Sequence, residues 1–251
     1  MAITWTGNGR GTAVLLHGMM SLAGTWWQIG PALAGRGWDV TALDLAGHGG
    51  HRLDGPLTPD ALVESVTAQV SGPVDLLVGH SMGAATAISA VVRRPGLARA
   101  VVLEDPPGGM ARGNEELAHG VELDAETART DRERLVRRSR ADHPDWAAAD
   151  VENDVRGVEQ ADAVAVAAGL RAGLRGWDMP ALVTAAVTAP AGAAEVLVLA
   201  AAEPGSALTG DVRSGVRAAL PADRFVELPG GHCLHRDLPA QWLAAVDAFT
   251  G

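Results

Sequence analysis

Val74-Asp75-Leu76-Leu77-Val78-Gly79-His80-Ser81-Met82-Gly83-Ala84-Ala85 decides how this chain is read. The first half is a short apolar run of the kind that forms a buried strand. The second half, continued by Ala87, Ile88, Ala90 and Val91, has helical spacing. Between them lies Gly79-x-Ser81-x-Gly83, a strand-to-helix turn too tight for side chains on either flank. The two glycines are required because the strand and helix backbones pass close to the turn. Such a turn holds Ser81 in strained geometry and lifts its hydroxyl above the sheet edge, so Ser81 reads as a nucleophile. The bland alternative is a buried serine capping a helix.

Outward from this turn, Ala13–Leu16, Val40–Leu43, Ala100–Leu103, Glu195–Ala200 and Arg224–Leu228 are further apolar runs. Continuous runs, without strict alternation, fit a parallel sheet covered on both faces. Thr25–Ala34, Pro59–Val70, Asp211–Leu220 and Pro239–Phe249 carry helical spacing between them. The alternation predicts an α/β fold with a mostly parallel, doubly wound sheet. It stops between Pro106 and about Pro190, where the pattern is helical throughout. Helices are expected over roughly Asn114–Arg140, from Val151 into Gly169 and over Pro180–Val187, with Asp145 capping one of them. An all-helical insertion of this kind predicts a cap. The expected division is a core of residues 1–105 and 190–251 with a lid of residues 106–189. The arginines of the first cap helix, Arg129 to Arg140, read as a solvated face paired with neighbouring acids.

The 251 residues suffice for one such domain. With seven Trp, two Phe and no Tyr, the core must be filled largely by Ala, Val and Leu. A net charge of −10 argues against nucleic-acid partners. The lone Cys233 forms no internal disulfide. The N-terminus shows neither a basic nor an apolar signal region, and no apolar run reaches spanning length. A cytoplasmic protein with no membrane partner, monomeric or homodimeric, is expected.

A serine needs a base, an acid that orients the base, and donors for an oxyanion. His232, in Gly230-Gly231-His232 after the last strand, is the expected base; His235 is its rival nearer the coming helix. The acid stays open between Glu203, after the strand ending near Ala200, and Asp105, after the strand ending at Leu103. Both follow parallel strands toward the same sheet edge. Backbone N–H groups of Met82, directly after the nucleophile, and Met19, after the first central strand, are expected to face the oxyanion. His17 is expected to shape a loop, and His80 to be structural.

Together, Leu16-His17-Gly18 with Trp26 downstream, Asp44-Leu45-Ala46-Gly47-His48-Gly49, Gly79-His80-Ser81-Met82-Gly83 and Gly230-Gly231-His232 resemble the α/β-hydrolase superfamily over essentially the whole chain. The resemblance implies a serine hydrolase acting on carboxylic esters or lactones. C–C bond or thioester hydrolysis, or a weakly catalytic receptor, are the alternatives. In the family the acid usually follows the strand that precedes Glu203 and is aspartate; a minority place it where Asp105 stands.

Gly18, Met19, Met20, Trp26, Trp27, Met110, Trp146, Trp177 and Met179 are expected in the loops and cap above the sheet. They suggest an apolar pocket for a small, neutral, hydrophobic ester or lactone. No cofactor is implied. Gly7-x-Gly9-x-Gly11 precedes its strand and reads as a turn, not a dinucleotide loop. His48, His51 and Asp54 read as a polar loop, so no metal is expected.

Overall fold

The computed structural model describes residues 2–108, 114–174 and 177–251. Seven strands form one sheet: β1 (Ala2–Trp5), β2 (Gly11–Leu16), β3 (Trp38–Leu43), β4 (Val74–His80), β5 (Ala98–Glu104), β6 (Glu195–Ala201) and β7 (Phe225–Leu228). Their spatial order is β1-β3-β2-β4-β5-β6-β7. All neighbours are parallel except the β1–β3 edge pair. The chain runs outward from β2 to β3, then returns to place β4 on the other side of β2. That reversal opens a crevice at the carboxyl ends of β2 and β4. Ser81 stands there.

The helices are α1 (Ile29–Ala34), α2 (Pro59–Gln69), α3 (Met82–Arg93), α4 (Asn114–Thr130), α5 (Arg132–Asp142), α6 (Ala148–Gln160), α7 (Ala163–Arg171), α8 (Met179–Val187), α9 (Gly210–Ala218), α10 (Leu234–Asp237) and α11 (Pro239–Thr250). Alternate strand residues feed two cores, as the period of two requires. Ala13, Leu15, Val40, Leu76, Val78 and Val102 pack with α1 and α11 through Ile29, Leu33, Trp242 and Val246. Val14, Leu16, Leu77, Val101, Leu103 and Val198 pack with α2, α3, α8 and α9 on the opposite face. Both faces are therefore dry, which is why the strands read as unbroken apolar runs. Every residue of α3 from Met82 to Val91 is buried. Small side chains along it let the helix sit close against the sheet.

Several helices differ from the expected spans. The 114–140 segment is broken at Asp131, whose backbone is non-helical and whose side chain accepts from Arg134 N–H at 3.0 Å. The 151–169 segment is broken at Asp162, which caps α7 through Ala165 N–H and also accepts from Leu53 N–H at 3.0 Å. Asp145 caps nothing: α6 starts after Ala147 with no side-chain cap. The 25–34 segment is a 3-10 turn over Ala23–Trp26 followed by the short α1. Helices α4 to α8 all fall between β5 and β6, and α8 packs on α3 and β6. Among the described residues, no helix is long and apolar enough to cross a membrane.

Candidate active site

The turn after β4 is as tight as its glycines require. A Cβ on Gly79 would lie 2.2 Å from the Gly83 carbonyl oxygen, and one on Gly83 would lie 2.5 Å from the oxygens of Leu16 and His17. These obstacles are backbone, so neither site relaxes cheaply. Gly83→Ala is expected to destabilise the fold by roughly 3 kcal/mol or more. Thermal unfolding of the purified variant measures this; an unchanged melting temperature would refute it.

Ser81 has φ 52° and ψ −117°, in the left-handed half of backbone space. Among the described residues, the other non-glycine residues with positive φ are Met20 (56°) and Asp105 (38°). Strain of about 1–3 kcal/mol at such positions persists where the surroundings over-determine it. All three belong to the loops that end β2, β4 and β5. The Ser81 N–H donates to the Glu104 carbonyl at 2.9 Å, and the Asp105 N–H to the Leu199 carbonyl at 2.7 Å. The end of each strand is thus locked to the next.

His232 reaches back from the loop after β7. Its Nδ1 lies 2.6 Å from Asp105 Oδ2. Asp105 is fully buried and accepts three more hydrogen bonds: from Ser206 Oγ at 2.5 Å, Ala201 N–H at 3.0 Å and Ala207 N–H at 2.7 Å. Burial is the largest influence on this carboxyl and opposes its ionisation. The hydrogen bonds from His232, Ser206 and Ala207, with the His232 charge, outweigh it and hold the carboxyl below its ordinary value. Of the two acids left open above, the imidazole is therefore paired with Asp105. Glu203 sits in a turn with its side chain 55% exposed, 4.0 Å from Arg213 and without a bond to His232 among those described. The loop after β7 folds back across β6 to meet the end of β5, and strand order alone does not specify this.

His235, the rival base, is buried in a separate network. Its Nδ1–H donates to Glu104 Oε1 at 2.7 Å, its backbone N–H to the same oxygen at 3.1 Å, and its Nε2 lies 3.0 Å from Thr25 Oγ1. Trp242 Nε1–H donates to Glu104 Oε2 at 2.9 Å. Thr25 Oγ1 accepts from Arg236 Nε at 2.9 Å and Nη2 at 2.6 Å, so its own proton is free for His235 Nε2. The result is a chain Glu104–His235–Thr25–Arg236. Burial pushes the Glu104 carboxyl up, and burial drives the His235 imidazole well below its ordinary value.

The neighbouring histidines fix loops. His17 Nε2 accepts from Leu45 N–H at 3.1 Å while Nδ1–H donates to the Gly18 carbonyl at 2.7 Å. Burial lowers it to about 3. His48 Nε2 accepts from Met20 N–H at 3.1 Å and Nδ1–H donates to the Ala46 carbonyl at 2.9 Å. His80 Nε2–H donates to the His232 carbonyl at 3.0 Å, tying the elbow to the histidine loop. Met82 is the first residue of α3, so its N–H has no intrahelical acceptor and points out of the helix start. Among the described residues, no group of three His, Cys, Asp or Glu side chains is placed to hold a metal ion.

A cavity of about 440 Å³ opens over Ser81 and His232. Gly18, Met19, Met20, Met82 and Trp177 line it. Four residues expected in the pocket lie elsewhere. Trp26 is fully buried beside His235 and Trp242, under the loop and not above it. Met179 is buried in the core with α3. Trp27 Nε1–H donates to Asp150 at 2.8 Å. Trp146 donates to Asp237 at 2.6 Å and stacks on His143. Met110 lies outside the described residues.

The cavity lining is mostly apolar, as expected, but Asp124, Arg138, Asp154 and Arg236 also line it. Most of the cap arginines do form solvated pairs, such as Arg132 with Glu152 and Glu159. Arg138 is paired too, with Asp124, and half-exposed, but it also borders the cavity; spacing alone does not reveal this, since α4, α5 and α6 meet around it only in three dimensions. Cys233 lines the cavity too, but burial pushes its thiol up to about 12, which makes it a poor nucleophile.

Known proteins resemble this chain over part of its sequence or in its fold. A pimeloyl-[acyl-carrier protein] methyl ester esterase of Neisseria meningitidis (serogroup C) is 34% identical over 84 residues, covering 30% of this chain and 32% of that protein. Lipase LipV of Mycobacterium tuberculosis is 34% identical over 103 residues, 39% of this chain and 38% of that protein. The chain thus aligns with only about a third of the length of these relatives. Among solved structures, a hydrolase from Pseudomonas aeruginosa superposes with a TM-score of 0.76 at 20% identity, covering 100% of this chain and 93% of that one. A thermophilic esterase from Thermogutta terrifontis gives a TM-score of 0.74 at 19% identity, covering 99% and 92%. At those identities the likeness concerns the fold. The model of the alpha/beta hydrolase family matches residues 13–246, nearly the whole sheet, insertion and histidine loop, and the chain belongs to that family.

Proposed function

We propose that this protein is a serine hydrolase that cleaves a small carboxylic ester or lactone through an acyl-enzyme on Ser81. The observation that carries the reading is the 2.6 Å bond between His232 Nδ1 and the buried, multiply hydrogen-bonded Asp105, in a loop that lines the same cavity as Ser81. An ionised Asp105 accepts a hydrogen bond from His232 Nδ1–H, which keeps the proton on Nδ1 and leaves the Nε2 lone pair for the serine.

In this scheme Ser81 Oγ attacks the carbonyl carbon and His232 Nε2 takes its proton. The carbonyl oxygen becomes an oxyanion held by the Met19 and Met82 amides, with the α3 dipole behind it. Collapse expels the alcohol, which leaves with the proton from His232. Water then attacks the acyl-enzyme as His232 takes its proton, and Ser81 is regenerated with release of the acid. Helices α4 to α7 act as the lid; α8, packed on α3 and β6, belongs with the sheet layers.

Covalent labelling tests this directly. A fluorophosphonate should add one phosphonyl group, located by peptide mass spectrometry on Ser81, and Ser81→Ala protein should stay unlabelled. Absence of the adduct on folded protein would overturn the assignment.

A further inference from the structure

Two guanidinium groups, those of Arg138 and Arg236, line the cavity. Arg236, on α10, is almost wholly buried, with its side chain 3% exposed. Nε and Nη2 donate to Thr25 Oγ1, a neutral acceptor, Nη2 also reaches Ser21 Oγ at 3.5 Å, Nη1 donates to Asp154 Oδ1 at 3.2 Å, and the guanidinium lies 4.6 Å over the Trp146 ring. Thr25 is fixed by His235 and Glu104, so Arg236 stands on a rigid base. Asp154 is 40% exposed, and solvent screens its charge. Arg138, on α5, spends Nη1 on Asp124 at 2.6 Å, and Asp154 lies close enough to act on it electrostatically. Both arginines therefore border one region of the cavity. Trp177, on its wall, has an indole N–H with no acceptor among the described residues.

A buried guanidinium is costly unless its donors and its charge are met. An exposed pair such as Arg138–Asp124 adds little stability in return, about 0–1 kcal/mol. The planar fork of arginine matches a carboxylate in two parallel hydrogen bonds. Met19, Met20, Leu117 and Leu174 supply apolar surface in the same cavity. The cavity thus brings Ser81, apolar surface and two arginines together.

We propose that Arg138 and Arg236 form a carboxylate-recognition site, so that the preferred substrate is an ester carrying a second, ionised carboxylate. This rests on the hydrolase reading above and replaces the expectation of a neutral, hydrophobic substrate.

The test compares matched esters on the purified full chain. One set carries the charge on the acyl side: 4-nitrophenyl hydrogen glutarate, neutral 4-nitrophenyl pentanoate and cationic 4-nitrophenyl 4-(trimethylammonio)butanoate. A second carries it on the alcohol side: 4-acetoxybutanoate against butyl acetate. In at least one set, kcat/KM should favour the anion by tenfold or more. Arg138→Met should reduce that preference about tenfold, and Arg236→Lys, which keeps the charge but loses the fork, should reduce it as well. Asp154→Asn, which removes a competing carboxylate, should increase it; a merely structural ion pair predicts no such rise.

Preference for the neutral or cationic esters in both sets would overturn the proposal while leaving the serine hydrolase standing. An Arg138→Met variant that loses activity equally on charged and neutral esters would overturn it too. Absence of Ser81-dependent turnover on every ester would overturn the hydrolase reading and this one with it.

Discussion

Ser81→Ala is expected to lower kcat/KM for a carboxylic ester by a factor on the order of 10⁴ or more, and Asp105→Asn by about as much. Glu203→Gln is expected to stay within about twofold of the parent. The serine substitution removes the atom that forms the acyl bond. The Asp105 substitution acts through the imidazole. Oδ2 accepts from both His232 Nδ1 and Ala207 N–H, while Oδ1 accepts from Ser206 and Ala201. An amide preserves one acceptor and turns its NH₂ toward His232. The ring then holds its proton on Nε2 and cannot take one from Ser81. The same NH₂ faces the Ala207 N–H, so a stability loss of about 1–3 kcal/mol should accompany the kinetic one. Steady-state kinetics with thermal melting separates the two effects. A mild Asp105→Asn beside a crippling Glu203→Gln would reverse the assignment of the acid.

Ser81 and His232 are legible in the sequence because local rules suffice for them. A strand, two obligatory glycines and a helix define the turn, and two glycines before the last helix let a histidine swing inward. The acid is not legible in the same way. Asp105 and Glu203 both follow parallel strands, and what separates them is a long-range fold-back of the 229–233 loop. The pocket fails for a related reason. Trp26 lies next to a site loop in sequence, yet its indole is drawn below that loop by Trp242 and His235. Arg138 is half-exposed like the arginines around it, and only the meeting of α4, α5 and α6 makes it border the cavity as well. The sheet is legible because burial on both faces leaves an unbroken apolar signature; the cap helices are less so, because Asp131 and Asp162 spend their side chains as caps in the middle of helical patterns.

Acidification should unfold this protein at a pH well above the carboxylate range, because four histidines are buried as neutral rings. Burial lowers His17, His48, His80 and His235 below their unfolded value near 6.5. His17 Nε2 and His48 Nε2 serve as acceptors of backbone N–H groups, and a protonated ring has no acceptor left. As pH falls below about 6.5, the unfolded chain takes up protons that the folded chain refuses. Stability is therefore complete above that pH and is lost on the way down toward the folded-state values. Each ring contributes up to about 1.4 kcal/mol per pH unit in this window. Glu104 works in the opposite sense, since its raised carboxyl favours the protonated fold as pH drops. Asp105, held below its ordinary value, adds its own loss only at lower pH. Even three rings acting together remove roughly 4 kcal/mol per pH unit, against a typical total of about 5–15 kcal/mol. Cooperative unfolding near pH 5 is the expected result, followed by circular dichroism and denaturant melts between pH 8 and pH 4. His48→Gln supplies an acceptor for the Met20 N–H and a donor for the Ala46 carbonyl without titrating, so it should flatten the slope by about one ring's share. A melting temperature that does not move between pH 7 and pH 5 would show that these rings are not held neutral by the fold.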